Sequence, residues 1–363
     1  MEFNLFNAPT GYEVNGTFFP FLSEFRSSDQ ILAVTIETVV LVLVFLISLL
    51  ANACMMVLII KGKRLANYQC FVLNLFLADI VFVGVIPVII TIRWAESWSL
   101  GAYVCQTLFF VMGTSGGVTI ITLAAISIER SISILNLRLK APLHFKSMTA
   151  IVLTIWLFSA LTSLPLCIYS QVMTIHFKDQ EYQICTLVWP NIVQEIIWDV
   201  FHGLLHFVIP GLIIVVSYTK ILKITKATRR RLQASRPSSA HQQQIRVSKK
   251  DYWLFRTLMV LMISFFIMWT PISLIFFLIL AQTFKKDLFL SSTCFFWVCT
   301  FTFVNSAVNP ILYGATQFKG EWRHVLCFFH LSHLKKRDRT TTEHAPKKVR
   351  NQQSQPSPSV ICG

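Results

Sequence analysis

Two histidines, His202 and His206, lie four positions apart in an apolar stretch of the sequence, and this spacing places both on one face of a helix. An HxxxH pair can bind zinc, but no third His, Cys or acidic ligand occurs at a suitable spacing. The pair is therefore interpreted as two polar side chains that face the inside of a helix bundle. A seven-span metallohydrolase is the less favoured alternative, and no enzymatic motif is found.

The stretch TIRWAESW, residues 91–98, ends an apolar run with an arginine and a glutamate between two tryptophans. Arginine is the natural partner of a carboxylate because its guanidinium donates two parallel hydrogen bonds. Arg93 is therefore a candidate for binding a negatively charged ligand, and Glu96 is a candidate partner of Arg93 when the ligand is absent. Trp94 and Trp98 are predicted to be anchors at the membrane interface.

Asp79 lies near the middle of another apolar run, within LNLFLADIVF. An ionisable residue at that depth of a membrane is costly and calls for a functional reason. We predict a cation or proton site that faces the bundle interior, with Asn52, Asn305 and Asn309 as residues that converge on it. A protonated structural carboxyl is the alternative.

The composition indicates that these residues are positioned by membrane-spanning helices. The 363 residues are 54% hydrophobic and 13% charged, with a mean hydropathy of +0.61, whereas a soluble chain is about a quarter charged. The net charge of +15 does not indicate nucleic-acid binding, because the basic residues cluster in short segments between apolar runs and in the C-terminal tail. That distribution follows the positive-inside rule.

Seven apolar runs have the length of about 20 residues that a membrane-crossing helix needs. They are Thr35–Ile60, Phe71–Ile92, Val104–Leu135, Ala150–Ser170, Glu195–Ile221, Leu254–Ala281 and Ser292–Ala315. We predict an all-α membrane protein, a seven-transmembrane helix bundle with the N-terminus outside and the C-terminus inside. Proline interrupts five of the spans and can kink each of them.

The predicted organisation has four parts: an extracellular segment at 1–30, the bundle at 31–316, a short amphipathic membrane-surface helix at 317–330 and a disordered cytoplasmic tail at 331–363. The first part holds a glycosylation sequon at Asn15. Cys327 in the surface helix is a candidate for palmitoylation. The tail holds candidate phosphorylation sites at Thr340, Thr341, Thr342, Ser354, Ser357 and Ser359.

Sequence motifs occur once in each span and in a fixed order. They are Asn52, Leu75 with Ala78-Asp79, Glu129-Arg130-Ser131, Trp156, Pro210 with Tyr218, Met268-Trp269-Thr270-Pro271 and Asn309-Pro310-Ile311-Leu312-Tyr313. This set resembles the rhodopsin-like G-protein-coupled receptors. Ser131, Met268 and Ala51 depart from the family's usual tyrosine, cysteine and glycine. Through segments that include RWAESW, EIIWDV and SFFIMWTPI, the chain is similar, from about Glu37 to Trp322, to the long-chain free fatty acid receptors of the omega-three type.

The resemblance implies a disulfide between Cys105 and Cys185. It also implies that Arg130 engages a G protein once it is freed from Glu129, and that Trp269 is a switch beneath the ligand. The residues expected to take part in activation are Asp79, Glu129, Arg130, Tyr218, Trp269, Pro271, Asn309, Pro310 and Tyr313. No cofactor is expected beyond a possible sodium ion at Asp79, Thr119, Asn305 and Asn309.

A pocket for an acyl chain is expected in the outer half of the bundle. Met112 stands where amine receptors have an acidic residue, and aromatic rings suit the double bonds of an unsaturated chain. The expected ligand-binding residues are Arg93, Phe109, Met112, Gly116, Trp189, Trp198, Phe201, Trp269, Ile272, Phe276, Phe295 and Phe303. Interfacial, lipid-facing packing is the alternative for some aromatics, Phe295 and Trp98 among them.

The function expected from this resemblance is a plasma-membrane receptor for medium- to long-chain, especially unsaturated, free fatty acids. The partners it implies are Gq- and Gi-type G proteins, receptor kinases, arrestin and membrane lipid, with passage to endosomes after internalisation. A receptor for another lipid or a peptide is the main alternative. A transporter is less favoured, because the sequence has no internal repeat.

Overall fold

The computed structural model describes residues 19–23, 31–62, 67–95, 97–135, 145–177, 180–234, 239–284 and 290–317. All of them belong to one compact unit, Met1–Gln317. The predictions for Asn15, Glu96, the surface helix beyond Gln317 and the tail lie outside the described residues.

The described residues form mainly long helices. They are α1 (Ile31–Lys61), α2 (Asn67–Val83), α3 (Ile86–Ala95), α4 (Gly101–Leu135), α5 (Phe145–Tyr169), α6 (Ile192–Gly203), α7 (Ile209–Ala234), α8 (Ser239–Phe284) and α9 (Ser292–Gln317). Within the described part of the chain, seven helical segments are long and apolar enough to cross a membrane. The seven predicted spans are confirmed.

Two of the seven spans are divided by a local interruption next to a proline. A turn at Gly84-Val85 separates α2 from α3, and Pro87 lies in the first turn of α3, where the missing N–H of proline costs no helical hydrogen bond. A π-helical turn, Leu204–Val208, joins α6 to α7 just before Pro210. The helices α5, α8 and α9 continue through Pro165, Pro271 and Pro310.

The third span is the centre of the bundle. About 67% of its most apolar stretch is buried, against 17–28% for the first, fourth, fifth and sixth spans. The helix α4 packs against α2, α5, α7 and α8. The outer spans instead expose large aliphatic side chains such as Leu32 and Leu50 of α1, as expected of surfaces in contact with lipid.

A β-hairpin, which was not part of the predicted all-α fold, follows α5. Its strands β1 (Ser170–Phe177) and β2 (Gln180–Leu187) pair antiparallel, with Val172 opposite Cys185. Cys185 forms a disulfide with Cys105 of α4, which confirms the pairing implied by the family resemblance. We call the end of the bundle that carries this bond the disulfide end.

The hairpin also holds the connection between α3 and α4. The backbone N–H of Trp98 donates to the carbonyl of Gln183 over 2.7 Å, and the N–H of Gln183 donates to Ser97 Oγ over 2.9 Å. Trp98 is only 2% exposed, so its prediction as an interfacial anchor is wrong. Trp94 is 52% exposed and occupies an outward position, as predicted for an anchor.

Candidate functional site: an aromatic cavity in the bundle

A cavity lies between the spans and is walled mostly by aromatic and aliphatic side chains. Among the described residues it is lined by Phe82, Phe109, Met112, Gly113, Gly116, Gly117, Ile120, Leu166, Trp198, Asp199, His202, Gly203, His206, Phe207, Phe265, Trp269, Ile272, Ser273, Phe276, Phe277, Phe295, Cys299 and Thr302. Its few polar groups lie mainly on the fifth span. Such a wall suits a long apolar ligand that carries few polar atoms.

Eight of the expected ligand-binding residues line this cavity: Phe109, Met112, Gly116, Trp198, Trp269, Ile272, Phe276 and Phe295. Phe295 is 1% exposed, so the alternative that it faces lipid is wrong. Four expected residues lie elsewhere: Arg93, Trp189, Phe201 and Phe303.

The three expected aromatic residues that do not line the cavity lie in different places. Phe201 is 55% exposed on the outer surface of α6. Phe303 lies behind the wall, with its ring centre 4.6 Å from that of Phe82. Trp189 packs on Trp198 at 5.3 Å between ring centres. Phe303 and Trp189 therefore support residues that line the cavity.

Trp269 lines the cavity and packs between two other aromatic rings of its wall. Its indole stacks on Phe265 at 5.4 Å and on Phe82 at 5.3 Å between ring centres. A Cβ atom added to Gly116 would lie 2.5 Å from Cη2 of Trp269. Gly116 therefore serves the site by leaving room for the indole, which the sequence analysis did not foresee.

Arg93 is buried, and it bonds to a carboxylate of the protein. Its Nε donates to Glu37 Oε2 over 2.9 Å, and its Nη2 donates to Glu37 Oε1 over 2.8 Å. The guanidinium also lies 4.6 Å from the ring centre of Phe296. The carboxylate that the structure pairs with Arg93 thus comes from α1, fifty-six positions away.

A short N-terminal turn covers the cavity at the disulfide end. Ser23 N–H donates to the carbonyl of Pro20, and Phe21 has a φ of 42°, in the left-handed region that a bulky side chain rarely adopts. The ring of Phe21 lies 5.1 Å from Phe109 and 5.2 Å from Phe295. Phe21 is 3% exposed and packs against these two residues of the cavity wall.

Two hydrogen bonds hold this turn to the bundle. Arg93 Nη1 donates to the carbonyl of Leu22 over 3.0 Å, and Thr186 Oγ1 donates to the carbonyl of Phe19 over 2.9 Å. We refer to residues 19–23 as the N-terminal cap. Arg93 is in contact with the cap and is not among the described residues that line the cavity.

The π-helical turn brings two histidines onto the cavity wall. The N–H of Ile209 donates to the carbonyl of Leu204, five residues back, and Pro210 has no N–H to bond the carbonyl of His206. The rings of His202 and His206 pack at 4.5 Å between centres, and both line the cavity. The prediction that they share one face is confirmed. Within the described residues, no cluster of three or more His, Cys, Asp or Glu side chains is arranged to hold a metal ion.

A polar network lies below Trp269, around Asp79. The carboxylate of Asp79 accepts from Asn309 Nδ2 over 2.8 Å and from Ser306 Oγ over 3.2 Å. Asn52 Nδ2 donates to the carbonyl of Ser306 over 2.8 Å, which ties α1 to α9. Asn305 is buried in the same span. The predicted convergence of Asn52 and Asn309 near Asp79 is present.

The opposite end of the bundle carries an ion pair between neighbours. Arg130 Nε lies 2.9 Å from Glu129 Oε2. Tyr218 and Tyr313 are buried, and Tyr313 packs on Phe76.

A second network joins three spans, because Asn74 donates to Thr122 and accepts from Trp156 Nε1.

Comparison with known proteins identifies the class of molecule. Residues 51–313 match the family described as 7 transmembrane receptor (rhodopsin family). The chain belongs to this family. It is 50% identical over 322 residues to free fatty acid receptor 4 of Rattus norvegicus and of Mus musculus, an alignment that covers 87% of this chain and 88% of each relative. The somatostatin receptor type 4 of Rattus norvegicus is 26% identical, over 78% of this chain and 71% of that receptor.

The protein is therefore a receptor of the rhodopsin family, and its helix bundle contains an apolar cavity. Sequence reasoning found eight of the 23 described residues that line the cavity, and it missed the roles of Glu37 and Phe21. A glutamate seven residues into an apolar helix was a signal for Glu37, since a buried acid needs a partner. Nothing in the local sequence around Phe21 indicates that it covers the cavity.

Proposed function

We propose that this receptor is activated by medium- to long-chain free fatty acids, with a preference for unsaturated chains such as the omega-three class. The observation that carries the proposal is the aromatic cavity that Trp269 lines, in a chain half identical to two free fatty acid receptors. Each methylene buried in such a wall contributes about 0.8 kcal/mol. The acyl chain therefore supplies most of the affinity, and the rings of Phe109, Phe276 and Phe295 pack against its double bonds.

Arg93 is the proposed partner of the ligand's carboxylate. To bind a ligand, its guanidinium exchanges the carboxylate of Glu37 for that of the fatty acid, and the bond to the Leu22 carbonyl opens with it. This exchange keeps the buried arginine paired in both states but removes Arg93 from the buried Glu37 carboxylate, a cost that burial of the acyl chain offsets. It also couples ligand entry to movement of the N-terminal cap.

Signal transfer is proposed to run from Trp269 through the network of Asp79 to the Glu129–Arg130 pair. Separation of that pair frees Arg130 to engage Gq- and Gi-type G proteins. Kinases then phosphorylate the tail and arrestin binds, and the receptor moves from the plasma membrane to endosomes. The buried position of Asn309 and Tyr313 on α9 supports a role for this helix in the transition.

A sodium ion is a further proposed element of the resting state. The residues near Asp79 suit one, because the amide oxygens of Asn305 and Asn309 are buried and bond to no other described group. Asp79 would supply the negative charge and these amides neutral oxygen ligands, a donor set suited to a hard monovalent cation. The ion would stabilise the arrangement of α2 and α9 in the ligand-free receptor and would leave when a ligand binds in the cavity.

A panel of agonists on cells that express the receptor tests the proposed function. We expect calcium mobilisation in response to long unsaturated fatty acids and none in response to biogenic amines or neuropeptides. Untransfected cells are the control for endogenous receptors. A response to peptides alone would contradict the proposed ligand class and leave the receptor family unaffected.

A further inference from the structure

One side of the helix α7 is directed away from the other helices. Leu212, Val215 and Val216 are 60%, 50% and 51% exposed, whereas Ile214 and Tyr218 are buried. Exposed apolar side chains on a membrane span lie against the acyl chains of lipids. The side of α7 that carries Leu212 and Val216 is therefore its lipid-facing side, and the side that carries Tyr218 faces the bundle.

Basic side chains continue the lipid-facing side beyond the apolar part of α7. Lys223, Lys226 and Arg230 are exposed. On a helix of about 3.6 residues per turn, Arg230 lies about five turns after Leu212 and therefore in line with it. Lys223 and Lys226 lie within about 40° of that line, at about 100° per residue. We refer to Lys223, Lys226 and Arg230 as the basic face of α7.

The charge of this face is not balanced within its own helix. The sequence of α7, Ile209–Ala234, has Lys or Arg at six positions and Asp or Glu at none. Lys220 is the first charged residue, after the apolar stretch IPGLIIVV, and it marks the place where the span leaves the hydrocarbon. Because the fifth span starts close after β2, its basic part lies at the end of the bundle opposite the disulfide end.

The basic part of α7 is longer than the layer of ordinary phospholipid headgroups. A helix rises about 1.5 Å per residue, so the axis from Lys220 to Arg230 spans about 15 Å. The headgroup region adds only about 5–8 Å to each side of the hydrocarbon. A headgroup that carries several phosphates on an inositol ring extends its negative charge further from the hydrocarbon than phosphatidylserine does. Its phosphates meet the basic side chains over more of their length.

The direction of the basic face favours a lipid over a protein partner. Arg130 belongs to α4, which packs against α7 on the side of the buried residues Tyr218 and Ile221. A protein that engages Arg130 therefore approaches the bundle side of α7. The basic face lies on the other side, in line with the exposed Leu212 and Val216. A lipid placed there has its acyl chains against these two residues and its phosphates against the basic face.

We propose that the basic face of α7 binds a membrane lipid with a polyphosphorylated inositol headgroup, in the leaflet that the predicted topology makes cytoplasmic. Lys223, Lys226 and Arg230 donate charge-assisted hydrogen bonds to its phosphates. The bound lipid holds this end of α7 at the membrane surface. The inference goes beyond the proposed fatty-acid function and does not depend on which ligand occupies the cavity.

Native mass spectrometry of the full-length receptor tests this site. The receptor in detergent is titrated with equal amounts of phosphatidylcholine, phosphatidylserine and a phosphatidylinositol bisphosphate, and the bound lipids are counted. We expect the bisphosphate lipid to bind in preference to the other two. In the triple variant Lys223→Gln, Lys226→Gln, Arg230→Gln its affinity falls about a hundredfold, since each cation beside an anionic headgroup contributes a factor of about five.

The matched control removes three basic residues from the sequence between the third and fourth spans, in the triple variant Arg138→Gln, Lys140→Gln, Lys146→Gln. It loses the same charge and is expected to bind the bisphosphate lipid as the wild type does. Equal losses in the two triple variants would show that only the total charge attracts the lipid, which overturns the site. The thermal midpoint without added lipid is expected to be the same in both variants, because the substituted side chains of the basic face are exposed.

Two further arms distinguish the lipid from other anionic partners. Soluble inositol trisphosphate is expected to bind much more weakly than the lipid, because it has no acyl chains to bury. Equal affinity for the two overturns the assignment to a membrane lipid. Unchanged lipid binding in the basic-face variant, with weaker G-protein coupling, overturns the proposal as well and assigns the face to a protein partner.

Discussion

Arg93 and Glu37 form a two-bond ion pair between α3 and α1, with donor–acceptor distances of 2.9 and 2.8 Å. Their side chains are 1% and 3% exposed, so both charges are removed from water. Arg93 also bonds to the carbonyl of Leu22 in the N-terminal cap. One arginine thus joins two spans to the segment that covers the cavity.

Removal of one partner of this pair is expected to destabilise the receptor more than removal of both. Arg93→Gln and Glu37→Gln each leave a buried charge without its partner, which costs about 3–5 kcal/mol. The double variant leaves no charge at this place, so its loss is smaller than that of either single variant. Thermal unfolding in detergent measures the coupling. Additive losses would show that the two charges do not interact.

The acid and the methyl ester of one fatty acid are expected to differ in potency only while Arg93 is present. The wild type prefers the acid by about tenfold or more, because a bidentate charge-assisted pair is lost in the ester. The Arg93→Gln, Glu37→Gln double variant responds equally to both. The second substitution is included because, in Arg93→Gln alone, the Glu37 carboxylate would repel the acid and not the ester. Arg93→Lys is the control: it keeps the charge without the planar fork and gives an intermediate preference. A double variant that still prefers the acid would exclude Arg93 as the anchor.

Phe21→Ala is expected to speed ligand dissociation. The ring of Phe21 packs edge-on against Phe109 and Phe295, and its loss opens the wall at the disulfide end. We expect an increase in the dissociation rate of about tenfold, measured with a labelled fatty acid. Phe284, which is 67% exposed, supplies the matched Phe→Ala control. Equal dissociation rates in both variants would mean that the cap does not retain the ligand.

Gly116→Ala is expected to destabilise the receptor by about 1–3 kcal/mol, because overpacking against a rigid ring forces a shift of Trp269. The added Cβ would lie 2.5 Å from the indole. In Gly203→Ala the nearest atom is 3.4 Å away, at Phe277 Cζ, so this helical control keeps or slightly raises stability. Thermal unfolding distinguishes the two. Equal midpoints would contradict the close contact.

Asp79→Asn is expected to remove stabilisation by sodium. If Asp79 binds the ion, replacement of choline chloride by sodium chloride raises the thermal midpoint of the ligand-free wild type, because an ion that binds the folded state stabilises it. The variant keeps a side chain of the same shape and loses the sodium-dependent rise in the thermal midpoint. Ser48→Ala, at a buried position of α1, retains this shift. A sodium effect that persists in Asp79→Asn would place the ion elsewhere.

The resemblance to the family predicted part of the cavity wall, because the motifs fix the depth of each helix. Met112, Trp269 and Phe276 were placed correctly for this reason. Glu96, proposed as a partner of Arg93 because it lies close in sequence, is outside the described residues, and the structure adds a carboxylate from a distant segment, that of Glu37. Phe201 was assigned to the cavity by its depth alone, and the direction of its side chain depends on the rotation of α6.

The seven spans, the disulfide and the receptor family were determined by the sequence itself. Long apolar runs specify membrane helices locally, since each helix satisfies its own backbone hydrogen bonds in lipid. The tertiary structure decided which side chains meet: Glu37 with Arg93, Phe21 with Phe109, and His206 with Thr162. These contacts join distant segments, so they depend on how the helices pack and rotate, which no local pattern specifies.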